Sequence, residues 1–394
     1  MWKERMNCFR NIINLLWMRE ARAHRVWNVM GMNMKKNITI FILIVMMVSG
    51  GCNSVKGLAA SENPVINTRE ELYQEVQKVL KEGKKEYTFE TEDLQQEDLD
   101  QLNLEHDGFF GNVEKYQIKT IRFLNRSYIT LYCNISDNYY VEDSILNGTV
   151  LSKEQEKAAE LKKECEIIID EIEKNSSSEY QKEKKIHDYI VNNVKYGYPD
   201  DNENEDSDAY NAYGALVEGK AVCNGYAQAM KLLCDLAGLE CQMVTGTADG
   251  ENHAWNLIRL DDEWYHTDVT WDDPEPDDPS RIIYSYFNLN DSSMESSHIW
   301  NKERYPESVG TRYNYYIYQD LYCADFEEFK EICKAILASD ASNPIQIMVG
   351  DYDETIYTED KMQFLFQYTG ADSIHLQTIG KGKNTTLYIT LQYD

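Results

Sequence analysis

The central part of the chain places a helical pattern directly before a predicted antiparallel sheet, and this order restricts the fold more than any other feature. The helix begins at or near Cys223 and stops before Gly238, a residue suited to the left-handed turn that closes helices. Its apolar face is marked at helical spacing by Tyr226, Met230, Leu233 and Ala237. Strand-like runs follow at 240–247, 253–260 and 263–270. The pattern predicts an α+β core in which the helix packs on the sheet.

The last two runs are separated only by residues 261–262, as in a β-hairpin. A two-residue turn there would place Trp255 opposite Asp268. It would also place His253 opposite Thr270, so that His253 and Asp268 become diagonal neighbours on one face. Diagonal partners stand about 7–8 Å apart between backbones, within reach of an imidazole and a carboxylate that lean together. A loop longer by one residue would put the two side chains on opposite faces.

Cys223, His253 and Asp268 are the candidate catalytic residues. A thiol is a strong nucleophile only as thiolate, and a helix N-terminus and a nearby imidazole both favour that form. Cys223 is predicted at such a terminus, while His253 and Asp268 would supply a base and the carboxylate that orients it. The backbone N–H of Cys223 is a candidate donor to an oxyanion. A cysteine in an apolar stretch is more often a core residue, but this one follows a loop, 218–220.

Three ordered blocks in this region resemble the transglutaminase-like superfamily, whose members have a papain-type thiol fold. Its secreted bacterial members share Gly-x-x-x-Cys-x-Gly-Tyr-Ala, His-Ala-Trp-Asn and Trp-Tyr-x-x-Asp-x-Thr-Trp-Asp-Asp. These motifs stand here at 219–227, 253–256 and 264–273. The resemblance extends from about 180 to 306 and includes His298. It implies a cysteine-protease-like core with the cysteine on a helix packed on an antiparallel sheet.

The same resemblance implies a reaction. Cys223 would attack an amide carbonyl, His253 would act as general base and then as acid, and Asp268 would fix the tautomer of the imidazole. The thioester would pass to water, as in a peptidase or amidase, or to an amine, as in a transglutaminase. Hydrolysis is favoured because acyl transfer to an amine needs a site that excludes water. The alternative is a non-catalytic binding or scaffold protein of the cell envelope. No cofactor or metal is implied, calcium included.

The N-terminal segment predicts export and lipidation. Two lysines precede an apolar run, 38–48, that is too short for an ordinary transmembrane helix and is followed by Ser49-Gly-Gly-Cys52. This resembles a lipoprotein signal with Cys52 as the lipidated residue, although Ser49 stands where that family usually has Leu. Ordinary secretion with cleavage near 57–60 is the alternative. Either way the mature chain is expected outside the cytoplasm, and lipidation would anchor it to the membrane surface.

The acidic composition excludes one class of partner. The whole chain has a net charge of −29, and residues 53–394 carry 31 Lys and Arg against 66 Asp and Glu, a net charge of −35. Nucleic acid is therefore not an expected partner, because binding its phosphates needs clustered Lys and Arg. Peptides or proteins are the expected substrates, peptidoglycan stem peptides among them. The acidic run 200–208 is interpreted as a solvated loop, with a cation site as the alternative.

Composition and pattern divide the chain into five parts. We predict an N-terminal extension with a lipoprotein-type signal at 1–52 and a tether at 53–67. These are followed by an N-terminal α+β domain at 68–150, the transglutaminase-like core at 151–310 and a C-terminal α+β domain at 311–394. Residues 1–33 are interpreted as the product of a start assigned too early, with Met34 the real start; a basic arm is the alternative. The two flanking domains repeat an order of helix and strands, either through duplication or because the order is common.

The remaining cysteines and aromatic residues receive structural interpretations. With Cys8, Cys52 and Cys223 set aside, the other cysteines are expected to be buried core thiols: Cys133, Cys165, Cys234, Cys241, Cys323 and Cys333. Four aromatic residues are expected to lie in the core rather than to line a substrate cleft: Trp255, Trp264, Tyr265 and Trp271. Asp272 and Asp273 are expected in a turn on the solvent face, with selection of basic substrates as the alternative. His298 is expected to serve loop structure, and a role in the site is left open.

Overall fold

The computed structural model describes residues 63–95, 98–99, 113–123, 126–198, 207–273, 282–338, 344–380, 382 and 385–393. The predicted signal, the lipidation site Cys52 and most of the acidic run 200–208 lie outside these residues. Within the described part, no helix is both long enough and apolar enough to cross a bilayer. The fold combines helices with mostly antiparallel sheets, which confirms the predicted α+β class.

The N-terminal unit is a helix packed on a three-stranded antiparallel sheet in the order β1-β3-β2. Its elements are α1 (Arg69–Lys81), β1 (Glu86–Thr91), β2 (Val113–Phe123) and β3 (Arg126–Ile135). The helix α1 starts with a capping box, in which Thr68 Oγ1 accepts the Glu71 N–H at 3.2 Å and the Glu71 carboxylate accepts the Thr68 N–H at 3.1 Å. The apolar face of α1 is buried at Leu72, Val76, Val79 and Leu80.

Helices and a short parallel pair of strands lead to the central sheet. They are α2 (Asp137–Asn147), α3 (Glu156–Asn175), α4 (Glu179–Asn193), β4 (Lys195–Tyr196), α5 (Ala212–Leu216) and β5 (Lys220–Ala221). Apolar residues at helical spacing mark the buried faces of α3 and α4, at Leu161, Cys165, Ile168 and Ile172 in α3 and at Ile186 and Ile190 in α4. The helix α2 escaped prediction because its buried face carries Asn138 and Ser144 beside Val141, which weakens the apolar periodicity.

The central sheet is antiparallel with the strand order β8-β7-β6-β9, and α6 packs on it. These elements are α6 (Cys223–Leu236), β6 (Glu240–Ala248), β7 (Glu251–Leu260), β8 (Glu263–Thr267) and β9 (His298–Trp300). The predicted helix is confirmed, and Gly238 closes it with a φ of +78°. The predicted apolar face of α6 is buried at Tyr226, Met230, Leu233 and Ala237.

The turn between β7 and β8 is the predicted two-residue hairpin turn. Leu260 pairs with Glu263 across it. Asp261 and Asp262 have φ values of +45° and +70°, which is the geometry of a type I′ turn. Aspartate tolerates this left-handed backbone better than most residues, so the Asp-Asp pair fixes the register of the hairpin.

The predicted second strand of this hairpin is too long. The strand β8 ends at Thr267, and a short helix, α7 (Val269–Asp272), begins immediately after Asp268. The expected pairings of Trp255 with Asp268 and of His253 with Thr270 are therefore wrong, because the chain leaves the sheet before reaching them. Asp268 nevertheless contacts β7, because its Oδ2 lies 2.7 Å from Nε2 of His253 on that strand.

The C-terminal unit repeats the topology of the N-terminal unit. After α8 (Asp291–Met294) and β9, its elements are α9 (Tyr315–Tyr318), β10 (Tyr322–Cys323), α10 (Phe326–Ala338), β11 (Ile345–Val349), α11 (Glu359–Met362), α12 (Phe364–Thr369), β12 (Ser373–Ile379) and β13 (Thr385–Gln392). The order β11-β13-β12 matches β1-β3-β2, and β10 adds a parallel edge. Two short helices, α11 and α12, stand between β11 and β12. A shared strand order is what duplication would give, and duplication itself stays a prediction.

Candidate active site

Cys223 is the first residue of α6 and is partly exposed, unlike the other described cysteines. Buried free thiols are found, as predicted, at Cys133, Cys165, Cys234, Cys241, Cys323 and Cys333. Val222 is the N-cap of α6, and its side chain makes no capping hydrogen bond. The positive end of the helix dipole therefore faces the thiol, which favours the thiolate.

The start of α6 is held close against the backbone of Ala209 and Tyr210. The Val222 N–H donates to Ala209 O at 3.0 Å, and the Asn224 side chain donates to Tyr210 O at 3.0 Å. A Cβ added at Gly225 would lie 2.4 Å from Ala209 O, so this close approach requires glycine. The position of the thiol is therefore fixed by the packing behind it.

His253 lies in β7 and links the thiol to a carboxylate. Its Nε2 is 2.7 Å from Asp268 Oδ2, and the ring also forms a hydrogen bond with Cys223, for which Nδ1 is the remaining nitrogen. Burial works to lower the pKa of His253. The Asp268 charge and the hydrogen bonds to Asp268 and Cys223 outweigh burial and raise the pKa to about 10. The imidazole is therefore charged at neutral pH, as required for a thiolate–imidazolium pair.

Asp268 is the N-cap of α7, and both of its carboxylate oxygens are occupied. Oδ1 accepts the backbone N–H groups of Thr270 at 3.1 Å and Trp271 at 3.3 Å, while Oδ2 faces His253. The residue is fully buried. Burial raises the pKa of Asp268, but the charge and hydrogen bond of His253, together with the hydrogen bond of His298, hold it well below the usual range. The carboxylate is thus ionised and held by the helix that it starts.

A second histidine contacts the same carboxylate oxygen. His298 lies in β9, whereas a role in loop structure had been expected. Its Nε2 is 3.0 Å from Asp268 Oδ2. Its Nδ1 is 2.8 Å from Ser297 Oγ. The ring is buried to 1% exposure. Sequence reasoning gave His298 no definite place in the site; the one signal available was its position inside the region of family resemblance.

Aromatic side chains enclose the two histidines. Trp271 and Trp255 lie 4.6 and 4.9 Å from His298, ring centre to ring centre. Trp255 is 1% exposed and donates from Nε1 to His266 Nδ1 at 2.9 Å, and Tyr265 is fully buried. The core interpretation is confirmed for Trp255 and Tyr265. Trp264 and Trp271 are partly buried and pack against the same core. The aromatic shell excludes water from the carboxylate, which strengthens its interactions with both histidines.

Of the two aspartates after Trp271, Asp272 lies in the interior and Asp273 is partly buried. Asp272 is fully buried, accepts the Tyr286 N–H at 2.9 Å and lies 3.2 Å from His187 Nε2. Asp273 accepts the Tyr226 hydroxyl at 2.5 Å. The expected solvent face is therefore wrong for Asp272, whose burial depends on a histidine far away in the sequence.

Among the residues that the structure describes, the same side chains form the one cluster that could hold a metal ion. In the described part of the chain, the ligand atoms of His253, Asp268 and His298 all lie within 4.8 Å of one another. Nitrogen and carboxylate ligands suit Zn²⁺. Both Nε2 atoms and Oδ2 already make hydrogen bonds, however, so a bound ion would have to break them.

The fold and this site define the class of cysteine-protease-like proteins, in which a cysteine starts a helix that packs on a sheet carrying a histidine. Residues 167–269 match the transglutaminase-like superfamily. The kyphoscoliosis peptidases of Homo sapiens and Mus musculus are each 25% identical to the chain over 116 residues. Those alignments cover 26% of this chain and 17% of each relative.

Solved structures with a similar fold include a TGase and a putative cysteine protease from Cytophaga hutchinsonii. The TGase is 16% identical with a TM-score of 0.27, and the match covers 53% of this chain and 59% of the TGase chain. The Cytophaga protein is 16% identical with a TM-score of 0.24, and the match covers 43% of this chain and 65% of that chain.

Proposed function

We propose that the chain is an exported thiol enzyme that attacks amide carbonyls through Cys223, His253 and Asp268. The observation that carries the proposal is the continuous set of hydrogen bonds from the partly exposed thiol through His253 to a buried carboxylate. A histidine and a carboxylate alone are common in protein interiors. A thiol at a helix N-terminus in contact with them is the arrangement of a nucleophile with its base and orienting group.

The reaction begins with the thiolate of Cys223 and the imidazolium of His253. The thiolate attacks the carbonyl carbon, and the negative charge on the carbonyl oxygen is stabilised by the Cys223 N–H. His253 donates its Nδ1 proton to the leaving amine, which departs as a thioester forms. The neutral imidazole then accepts a proton from water, or from an amine, as that nucleophile attacks the thioester. Cleavage of the carbon–sulfur bond releases the acyl product and restores the Cys223 thiolate and the His253 imidazolium. Asp268 accepts the hydrogen bond of the Nε2–H throughout, so that this proton stays on the ring.

The proposed substrates are peptide, isopeptide or glutamine-type amides, peptidoglycan stem peptides among them. The similarity to kyphoscoliosis peptidases is consistent with hydrolysis of a peptide amide. We favour hydrolysis, because the Cys223 thiol is partly exposed and water is the abundant nucleophile.

We further propose that the enzyme is anchored outside the cytoplasm through Cys52, and loss of palmitate labelling in Cys52→Ser would test this.

The deciding experiment incubates the purified full-length protein, beside Cys223→Ser, with cell-wall fragments, mixed peptides and an amine donor. Mass spectrometry of the products separates the outcomes. Cleavage or loss of ammonia seen only with the wild type indicates a hydrolase, and incorporation of the amine indicates a transglutaminase. Identical products from both proteins over the whole substrate set would contradict catalysis and favour a scaffold protein of the cell envelope.

A further inference from the structure

The carboxylate of Asp268 has one more partner than the proposed reaction needs. We propose that His298 is a positioning residue. Its Nε2–H holds Asp268 in the orientation in which Oδ2 accepts the hydrogen bond of the His253 Nε2–H. The proposal rests on the function proposed above. The observation behind it is that the two Nε2 atoms lie 2.7 and 3.0 Å from one oxygen.

The protonation state of His298 follows from its partners. An ionised carboxylate only accepts hydrogen bonds, so His298 Nε2 must carry a proton. Nδ1 is then free to accept from the Ser297 hydroxyl, 2.8 Å away, and Ser297 in turn is hydrogen-bonded to Tyr286. A neutral imidazole satisfies every one of these contacts. His298 can therefore hold the carboxylate without adding a second positive charge beside His253.

The carboxylate is fixed only when both of its oxygens are held. The backbone of α7 fixes Oδ1 through the N–H groups of Thr270 and Trp271. Without His298, His253 would be the one donor to Oδ2 among the described residues. The Asp268 carboxylate and the His253 ring could then move together away from Cys223. Because His298 stands on β9, at the edge of the sheet, its donor comes from a different element than the other three. Four donors from three elements leave the carboxylate one orientation.

Packing alone would not need a polar ring at this position. The ring of His298 is surrounded by Trp255, Trp271 and Tyr286, with centre-to-centre distances of 4.9, 4.6 and 5.6 Å. A phenyl ring could fill the same space. Burying an imidazole there costs free energy unless its nitrogens are hydrogen-bonded, and both are. This separates two roles, aromatic filling and hydrogen-bond donation, that substitution can test independently.

Two substitutions at one position form the test. His298→Phe keeps the aromatic ring and removes the donor, whereas His298→Gln removes the ring and places an amide N–H near the position of Nε2. For both full-length variants and the wild type, the rate of Cys223 alkylation by iodoacetamide is measured against pH by mass spectrometry of the Cys223 peptide. EDTA is included so that no metal occupies the histidines, and melting temperatures establish that each variant folds.

We expect His298→Phe to lower the neutral-pH alkylation rate by about 10–100-fold, as loss of an outer hydrogen-bond partner does in other sites. Its acid limb should move to higher pH, because an unfixed carboxylate stabilises the imidazolium and the paired thiolate less well. His298→Gln should stay within a few-fold of the wild type with an unshifted limb.

Three results would overturn the positioning role. If His298→Phe reacts at the wild-type rate and His298→Gln reacts more slowly, the ring of His298 acts by aromatic filling. If both variants react at the wild-type rate, His298 has no role in the reactivity of Cys223. If both variants lose the same amount of reactivity, the hydrogen-bond donor is not what matters. The proposed function fails separately, if wild-type Cys223 reacts no faster than the same cysteine in the denatured protein.

Discussion

The helix α7 presents two aspartates, Asp268 and Asp272, and each has a histidine partner, but only one pair has the arrangement of a reactive site. Asp268 meets His253, whose ring also contacts the Cys223 thiol. Asp272 meets His187, which is fully buried between Asp272 at 3.2 Å and Asp188 at 3.3 Å. The chemical groups are the same in the two pairs, while the third group and the access differ.

This difference teaches that a carboxylate–imidazole pair does not by itself define a site. In both pairs burial works to lower the histidine pKa and the neighbouring carboxylates raise it, to about 10 for His253 and about 9 for His187. A shifted pKa is therefore found at the structural pair as well as at the reactive one. The distinguishing features are a nucleophile on the second ring nitrogen and a partly exposed thiol. We expect one pair to control reactivity and the other to control stability.

Asp268→Asn should produce the largest effect on reactivity. Asparagine is also a good N-cap, so α7 should still form. Its amide, however, can present a donor to His253 and no longer favours the charged imidazole. Loss of the orienting carboxylate costs about 10⁴ in rate in other triads. We expect alkylation of Cys223 in the folded variant at neutral pH to fall by about 10³–10⁴-fold. Some stability should be lost as well, because the buried His253 ring loses its charged partner. A near wild-type rate in a folded variant would break the comparison at its reactive end.

His187→Phe should have the opposite profile. It keeps a ring in the core and leaves two carboxylates without their shared cation. Breaking a buried ion pair by removing one partner costs about 3–5 kcal/mol of unfolding free energy. Alkylation of Cys223 in the folded protein should stay within a few-fold of the wild type, because His187 does not contact the thiol or its base. His187→Gln, which can still donate to Asp272, is the matched control and should lose less. A large drop in the alkylation rate of folded His187→Phe would contradict the division of roles.

The pH dependence of stability should also separate the pairs. The pKa of His187 is raised from 6.5 to about 9, so its contribution is complete below pH 6.5 and is lost as the pH rises through about 9. Burial raises the pKa of Asp272 to about 6, so this carboxyl is largely ionised over that window. One pKa unit corresponds to about 1.4 kcal/mol, which sets an upper limit of about 3 kcal/mol for His187.

The check is denaturant unfolding of wild type and His187→Gln at several pH values between these limits. The difference between their unfolding free energies should shrink as the pH rises. The wild type should continue to lose stability toward pH 10, because His253 still titrates there. A constant difference over the whole window would mean that His187 is not charged in the folded protein.

The same contrast separates what the sequence could predict from what it could not. The helix at Cys223 and the turn at Asp261-Asp262 have local causes, namely apolar spacing, a closing glycine and residues that tolerate positive φ. The end of β8 had a local signal too, an aspartate before an apolar residue, but alternating polarity masked it. The burial of Asp272 depends on a histidine 85 residues away, and His298 reaches Asp268 across 30 residues. No local pattern specifies such contacts, because packing of distant elements decides them.

The smallest expected effect lies far from both pairs and serves as their common reference. Thr68→Ala removes the hydroxyl that accepts the Glu71 N–H and so breaks the capping box of α1. Loss of such a cap costs about 1 kcal/mol. We expect unfolding free energy to fall by that amount in denaturant titration, while the alkylation rate of folded Cys223 does not change. Thr68→Ser, which keeps the hydroxyl, should recover most of the loss. A change in the alkylation rate of Thr68→Ala would show that a modest loss of stability is itself enough to alter the thiol, and the effect of His187→Phe would then have to be reinterpreted in the same way.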